Sequence, residues 1–219
     1  MKVIYVMSGK GGVGKTTVAV NLAQSLNNTA LMDADIHGPN VPDVLGITDE
    51  VKVQNNMMLP VEHKGIKVLS IGFMLGKNDS LAWRGPRKHS LIKQFIEQTD
   101  WGNPDYLVVD LPPGTGDEAL SVIELLKQHQ GGALIVSTPP KASVQDTKRC
   151  INFCNNAGLK ITGIIENMSG GIFGEGTIKE VAENTDNNFL GKIPLDGNIP
   201  GTSKVSDFEQ IAQKIGDDL

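Results

Sequence analysis

The chain has 219 residues, of which 39% are hydrophobic and 21% charged, a globular composition that suits one domain over residues 1–219. Its net charge of −5 and its 5% aromatic content disfavour nucleic acid as a partner, because that binding relies on basic residues and aromatic stacking. No apolar run approaches the roughly 18 residues of a membrane span, and two cysteines without a secretory segment favour a cytoplasmic protein without a membrane partner.

Strand and helix patterns alternate along the chain. Strands are predicted in "KVIYVMS", "TALMDAD", "KVLSIGF", "DYLVVDLPPG", "GALIVST", "KITGIIENMS" and "NNFLGKIP". Helices are predicted in "KTTVAVNLAQSLNN", "KHSLIKQFIEQT", "DEALSVIELLKQH", "KASVQDTKRCINFCNNAG" and "VSDFEQIAQKIGDDL". This order predicts an α/β fold with a doubly wound, mostly parallel sheet and helices on both faces. The segment "GITDEVKVQNNMMLPVEHKG" is either a hairpin or an irregular connection.

The stretch "MSGKGGVGKTT" matches the phosphate-binding pattern G-x-x-x-x-G-K-[ST] between a predicted strand and a predicted helix. In that context, backbone N–H groups and the helix N-terminus face a polyphosphate. Lys15 would supply charge to the phosphates, and Thr16 would supply a hydroxyl group to Mg²⁺. A glycine-rich turn without a ligand would have no need for this Lys–Thr pair. The predicted nucleotide-binding residues of the loop are Gly9, Lys10, Gly11, Gly12, Val13, Gly14, Lys15, Thr16 and Thr17.

Acidic residues end two of the predicted strands, at the edge where ligands of parallel sheets bind. Asp110 ends "YLVVD" and is a candidate Mg²⁺ ligand that acts through water. Asp33 and Asp35 end "ALMDAD", and an acid here can polarise an attacking water or bind Mg²⁺ through water. Helix capping or a loop hydrogen bond is the alternative role for both. We predict that Asp35 and Asp110 are catalytic and that Thr16 joins them around the metal.

The "GTGDE" segment, Gly114 to Glu118, has the glycines of a loop that can move when it touches a γ-phosphate, and Asp117 in it can cap the next helix. No [NT]-K-x-D pattern for reading guanine occurs in "IVSTPPKAS" or "IIENMSG", which favours ATP over GTP. Asn167 ends the "ITGIIEN" strand, where its amide could both donate to and accept from an adenine edge. A turn asparagine without a ligand is the alternative.

Several stretches together resemble the Mrp/ApbC-type iron–sulfur cluster carrier ATPases of the MinD/ParA branch of P-loop proteins. They are "SGKGGVGKTT", "DADIHGPNVP", "WRGP", "DYLVVDLPPGTGDE", "STPPKASVQDTKR", "IIENMSG" and "LGKIPLD", and the resemblance runs from about Lys2 to Asp196. It implies a MinD-like P-loop fold, ATP and Mg²⁺ as cofactors, and a homodimer that encloses nucleotides at its interface.

The resemblance also implies roles for individual residues. Lys10 resembles the second lysine of the deviant Walker A motif, which in the family reaches the phosphates of the ATP held by the other subunit. The resemblance therefore implies that Lys10 is catalytic. Asp35 resembles the acid that orients water, and Asp110 the Walker B acid. Asn167 resembles the asparagine that reads adenine, and Pro194 the proline that packs near the base.

The sequence departs from this family after "ENMS". Members that carry a cluster usually have C-x-x-C there, so that two subunits supply four thiolates. This chain has "GGIFGEGTIKE" instead, and we expect its glycine-rich part, "GGIFGEG", to be a mobile or partner-binding loop. Its two cysteines, Cys150 and Cys154, share a helix face, where buried core thiols are favoured over a metal pair or a redox pair. Whether an iron–sulfur cluster binds is therefore left open, and its ligands would come from elsewhere or from a partner.

The favoured function is a slow, dimeric switch ATPase in iron–sulfur cluster carriage, assembly or related metallocluster maturation, with an apo-metalloprotein client or a cluster scaffold as candidate partner. A MinD- or ParA-like organiser at a membrane or DNA surface is the alternative, although the acidic end "SDFEQIAQKIGDDL" disfavours it. A scaffold that does not hydrolyse ATP is disfavoured by the acids that are present. His37, beside Asp35, is predicted to be a plain loop histidine, and "WRGPRK" either docks a partner or forms a local ion pair.

Overall fold

A computed structural model describes residues 1–73, 85–197 and 206–219. The strands are β1 (Lys2–Met7), β2 (Thr29–Asp33), β3 (Lys52–Gln54), β4 (Met57–Leu59), β5 (Val61–His63), β6 (Ile66–Ser70), β7 (Tyr106–Asp110), β8 (Gly131–Ser137), β9 (Ile161–Ser169) and β10 (Phe189–Pro194). Eight of them form one sheet in the order β10-β9-β8-β1-β7-β2-β6-β5. Every neighbouring pair is parallel except β5 and β6, so the predicted mostly parallel sheet is confirmed.

Helices cover both faces of this sheet, as predicted. They are α1 (Lys15–Ser25), α2 (Val41–Leu45), α3 (Gly85–Glu97), α4 (Asp117–Leu126), α5 (Ala142–Asn156), α6 (Thr177–Asn184) and α7 (Ser206–Asp218). Ile4 and Val6 of the central strand pack into a core that includes residues of α1, α2 and α7. Tyr5 and Met7 point to the other face, into a core that includes residues of α3, α4, α5 and α6. Each central strand is therefore buried on both sides, which explains its continuous apolar sequence.

The segment that the sequence left undecided forms antiparallel pairs. β3 pairs with β4 through a turn in which Asn55 and Asn56 have φ of 52° and 61°, a conformation that asparagine tolerates. β5 pairs with β6 through Lys64 and Gly65, which also have positive φ. The predicted strand "KVLSIGF" ends at Ser70, and a 3₁₀ turn follows it. The short helix α2 and the helix α6 were missed, because neither segment shows a long helical period.

The parallel strands bring their carboxyl ends to one edge of the sheet. β1 leads there into the phosphate loop, β2 ends at Asp33, β7 ends at Asp110, and β9 carries Asn167. Residues that are far apart in the sequence therefore meet at this edge. Within the described ranges, no helix is long and apolar enough to cross a membrane.

Candidate functional site: a phosphate loop at the sheet edge

A cavity of about 620 Å³ opens beside the phosphate loop. Among its walls are these residues of the predicted site: Lys10, Gly11, Gly12, Gly14, Lys15, Thr16, Thr17 and Asp35. Asn40, just before α2, and Asp43 and Val44 within it also line the cavity, and the sequence did not single them out. Gly9, Val13 and Asp110 of the predicted site are not among the lining residues.

Two glycines of the loop are required by close contacts. A Cβ atom on Gly9 would lie 2.1 Å from the backbone carbonyl oxygen of Asp146, in α5. A Cβ atom on Gly14 would lie 2.4 Å from Nδ2 of Asn167, and Gly14 also has φ of 78° where it starts α1. The loop is therefore pressed against α5 on one side and β9 on the other, which holds its backbone N–H groups in a fixed arrangement.

Lys15 and Asp110 form a buried ion pair under the cavity. Lys15 Nζ lies 2.5 Å from Asp110 Oδ1, and the two side chains are 7% and 1% exposed. Burial raises the pKa of Asp110, whereas the Lys15 charge and hydrogen bonding from Lys15 and Thr16 lower it. Oδ2 of Asp110 has no hydrogen-bond partner of ordinary geometry among the described residues. This buried, unsatisfied oxygen beside the Thr16 hydroxyl suits a carboxylate that holds a water of hydrated Mg²⁺.

The two acids after β2 have different environments. Asp33 is fully buried, and its carboxylate accepts hydrogen bonds from Ser70 Oγ at 2.8 Å and from the backbone N–H groups of Asp35 and Val41. Burial, with the nearby Asp110 charge, raises the pKa of Asp33 to about 8. Asp33 therefore organises the loop, which is the alternative role that the sequence allowed. Asp35 lines the cavity instead.

Lys10 makes its side-chain contacts within its own chain. Its Nζ donates to Ser143 Oγ at 2.8 Å and lies 3.9 Å from Asp146 Oδ2. Ser143 is buried and also bonds Thr138 through its hydroxyl group at 2.9 Å. The second lysine of the motif thus points to the start of α5, while Lys15 points to Asp110.

Asn167 and Pro194 lie at the same sheet edge but contact different parts of it. The Asn167 amide donates to the Val13 carbonyl oxygen at 2.8 Å, so it bonds the phosphate loop. Pro194 is exposed at the end of β10, where it is paired in register with Ser169. The predicted adenine contacts of both residues stay predictions. Asp117 is the first residue of α4, and Gly116 rather than Asp117 takes the capping position.

The loop after β9 is anchored at both ends by one buried carboxylate. Glu166 is fully buried and accepts hydrogen bonds from Ser169 Oγ at 2.8 Å and from the N–H groups of Gly176 and Ile178 at 2.9 and 3.0 Å. A further bond joins Gly170 N–H to the Gly174 carbonyl at 2.7 Å. Several hydrogen bonds therefore hold this loop, and its predicted mobility or partner binding stays a prediction.

Both cysteines lie in the hydrophobic core. Cys150 and Cys154 are fully buried, and Cys154 Sγ lies 3.7 Å from Met7 Sδ in β1. The hydrogen bond between the two thiols and their burial raise the pKa of Cys150. The core-thiol interpretation is thus confirmed. In the part of the chain that the structure describes, no group of three or more His, Cys, Asp or Glu residues could hold a metal ion.

Sequence reasoning missed the contacts that fix these loops. It did not single out Ser143 or Asp146, although the helix start "ASVQD" places small and acidic residues beside the strand end of β8. The predicted partner or ion-pair role of Trp83 to Lys88 falls outside the described residues and side chains.

Comparison with known proteins identifies the family. Residues 1–215 match a family model described as ParA, NUBPL iron-transfer P-loop NTPase. The chain belongs to this family. Among its relatives is the cytosolic Fe–S cluster assembly factor NUBP2 homolog of Dictyostelium discoideum, 44% identical over 90% of this chain and 82% of that protein. Human NUBP2, a cytosolic Fe–S cluster assembly factor, is 39% identical over 98% of this chain and 92% of its own length. The resemblance to the Mrp/ApbC-type carriers is confirmed.

Solved structures support the same conclusion. The chain is similar to a nucleotide-binding protein of Archaeoglobus fulgidus in complex with ADP, with a TM-score of 0.78, 34% identity, and coverage of 96% of this chain and 87% of that one. The cell division ATPase MinD of Pyrococcus furiosus gives a TM-score of 0.74 at 23% identity, with coverage of 99% and 98%. The MinD comparison shows that the fold is that of a MinD-like P-loop NTPase.

Proposed function

We propose that this chain is a Mg²⁺-dependent, slowly hydrolysing ATPase that works as a nucleotide-switched homodimer in iron–sulfur cluster assembly in the cytosol. The observation that carries the proposal is the cavity beside the phosphate loop, with Lys15 and Asp110 beneath it. Its relatives carry the names of cytosolic Fe–S cluster assembly factors, which supports the pathway and the compartment.

Each residue of the site would have a separate role in transferring the terminal phosphate of ATP to water. Backbone N–H groups of the loop and the Lys15 ammonium would bind the phosphates, after Lys15 turns from Asp110 toward them. Thr16 and Asp110 would hold Mg²⁺, which supplies positive charge to the phosphate oxygens when bound. Asp35, facing the cavity, would orient the attacking water.

Lys10 would act across the dimer. In the structure it is bound to Ser143 and lies near Asp146, so it would have to leave these groups to reach the partner's nucleotide. An ion pair of this kind, with Lys10 37% exposed, is weak enough to exchange for a phosphate contact. Dimerisation and hydrolysis would then depend on the same lysine.

The chain is proposed to supply the switch and not the cluster ligands. Both of its cysteines are buried in the core and the segment after β9 has none, so no thiolate is available at the surface. A partner protein, either a scaffold or an apo-protein client, would supply them.

ATP hydrolysis by purified protein tests the enzymatic part. We expect phosphate release that stops when EDTA removes Mg²⁺ and that falls at least about 100-fold in Asp110→Asn, because that variant loses a charged Mg²⁺ ligand. Equal rates with and without EDTA would contradict the proposal.

Anaerobic reconstitution with iron and sulfide tests the cluster part. We expect the wild type to retain no more iron than a Cys150→Ala/Cys154→Ala control. Stoichiometric iron and sulfide, lost in that control, would show that the chain ligates a cluster itself.

A MinD- or ParA-like role has no supporting observation in α7, where Asp207, Glu209, Asp217 and Asp218 outnumber Lys214.

A further inference from the structure

A side-chain contact joins the two segments that follow the central acids. His37 Nε2 lies 3.0 Å from Glu118 Oε1, although the residues are 81 positions apart in the chain. His37 belongs to the segment between β2 and α2, and Glu118 to the first turn of α4. A nitrogen at this distance donates a hydrogen bond to the carboxylate. The contact therefore ties two segments that enter the site from different strands.

On one side, the contact is linked directly to Asp35. The backbone N–H groups of His37 and Gly38 both donate to Asp35 Oδ1 at 3.2 Å. Asp35 and Gly38 line the cavity beside the phosphate loop. A displacement of His37 would thus move the carboxylate that faces the nucleotide.

On the other side, the contact is linked to the glycine loop before α4. Gly114 has φ of 89°, and its N–H donates to the Ser8 carbonyl oxygen at 3.0 Å, beside the start of the phosphate loop. Pro113, just before it, lines the cavity. Glu118 is two residues beyond Gly116, so it moves with the end of this loop.

We propose that the His37–Glu118 contact is a bridge that makes the Asp35 segment and the Gly114–Gly116 loop take up their positions together when ATP occupies the cavity. The inference rests on the proposed ATPase function and adds two positioning residues to it. Neither residue is among those that line the cavity, and both would act through Asp35. His37 therefore has a role beyond that of a plain loop histidine. The side chains are 52% and 28% exposed, so the bridge contributes a few-fold effect and not the bulk of catalysis.

Steady-state ATPase kinetics test the bridge with matched variants. His37→Gln keeps a nitrogen donor near the position of Nε2, whereas His37→Asn is too short to reach Glu118. We expect His37→Asn and Glu118→Ala each to lower kcat about three- to tenfold while KM changes less than about twofold, because positioning acts after ATP is bound. We expect His37→Gln to keep a rate near that of the wild type.

The double variant His37→Asn/Glu118→Ala separates coupling from two independent effects. We expect the kcat of the double variant to be no lower than the kcat of the less active single variant, because either change alone already breaks the bridge. Glu183→Ala is the control, because it removes an exposed ion pair with Lys179 on α6. Multiplied losses in the double variant, a change in KM alone, or a His37→Gln rate as low as that of His37→Asn would overturn the proposal.

Amide hydrogen exchange, measured without nucleotide, tests the bridge independently of ATP hydrolysis. We expect Glu118→Ala to speed exchange at residues 36–40, in the segment that His37 connects to Glu118, and Glu183→Ala to leave it unchanged. Unchanged exchange in Glu118→Ala would overturn the bridge. A wild type that does not hydrolyse ATP would instead overturn the proposed function, and the exchange result would still decide the bridge.

Discussion

The phosphate loop and the loop after β9 lie at the same edge of the sheet, but they differ in what they retain of the family pattern. The first has every residue of the deviant Walker motif, and two of its glycines are required by contacts with α5 and β9. The second has a glycine-rich segment where cluster carriers have their cysteines, yet it is well anchored by Glu166. This difference supports the proposal that the two loops are separable, with the nucleotide switch in this chain and the cluster ligands in a partner.

Among the changes that test this comparison, breaking the ion pair under the phosphate loop should have the largest effect on stability and on ATP binding. Lys15→Met removes the partner of a buried carboxylate, so we expect the free energy of unfolding to fall by about 3–5 kcal/mol. ATP binding should be lost as well. Urea unfolding and nucleotide titration measure the two effects.

A double variant shows whether the stability loss of Lys15→Met comes from the unpaired buried charge or from a general defect of the loop. Lys15→Met/Asp110→Asn should recover part of the lost stability, because no unpaired charge remains, but it should not recover ATP binding. A double variant as unstable as Lys15→Met would show that the pair is not the cause.

Glycine substitutions test the tight packing of the phosphate loop. Gly9→Ala would place a Cβ atom 2.1 Å from a backbone oxygen of α5, so we expect a loss of about 2–3 kcal/mol in the free energy of unfolding. Gly11 has open space around its Cβ position, so Gly11→Ala should stay within about 0.5 kcal/mol of the wild type. Equal stabilities of the two variants in urea would refute the close contact.

The smallest effect is expected in the other loop. Glu166→Gln puts an amide where backbone N–H groups donate, so we expect a loss of about 1–3 kcal/mol and faster hydrogen exchange over residues 169–178. ATP affinity should stay unchanged, because the phosphate loop keeps its own contacts. Glu175→Gln, on the exposed side of the same loop, is the control. Weakened ATP binding in Glu166→Gln alone would show that the two loops are not separable.

Much of the fold could be predicted from the sequence, because strongly periodic segments and a phosphate loop in strand–helix context fix the order of a parallel sheet. The positions of Lys15, Thr16 and Asp35 at the cavity follow from the same rule, since parallel strands end at one edge. The strands β3, β4 and β5 were left undecided, because each has only three residues and carries little periodic signal.

Contacts between distant segments were beyond prediction. Nothing in the local sequence pairs Lys10 with Ser143, His37 with Glu118, or Glu166 with the N–H groups of its loop. Asp33 and Asp35 also look alike in "DAD", and only burial distinguishes the loop organiser from the cavity acid.

The most direct test of the account is light scattering of wild type and Lys10→Ala with ATP, with hydrolysis measured in parallel. We predict that the wild type dimerises with ATP, and that Lys10→Ala binds ATP but neither dimerises nor hydrolyses it. The variant keeps Lys15, so loss of ATP binding is not expected. A Lys10→Ala protein that hydrolyses ATP normally as a monomer would contradict the proposed role of the second lysine across the dimer.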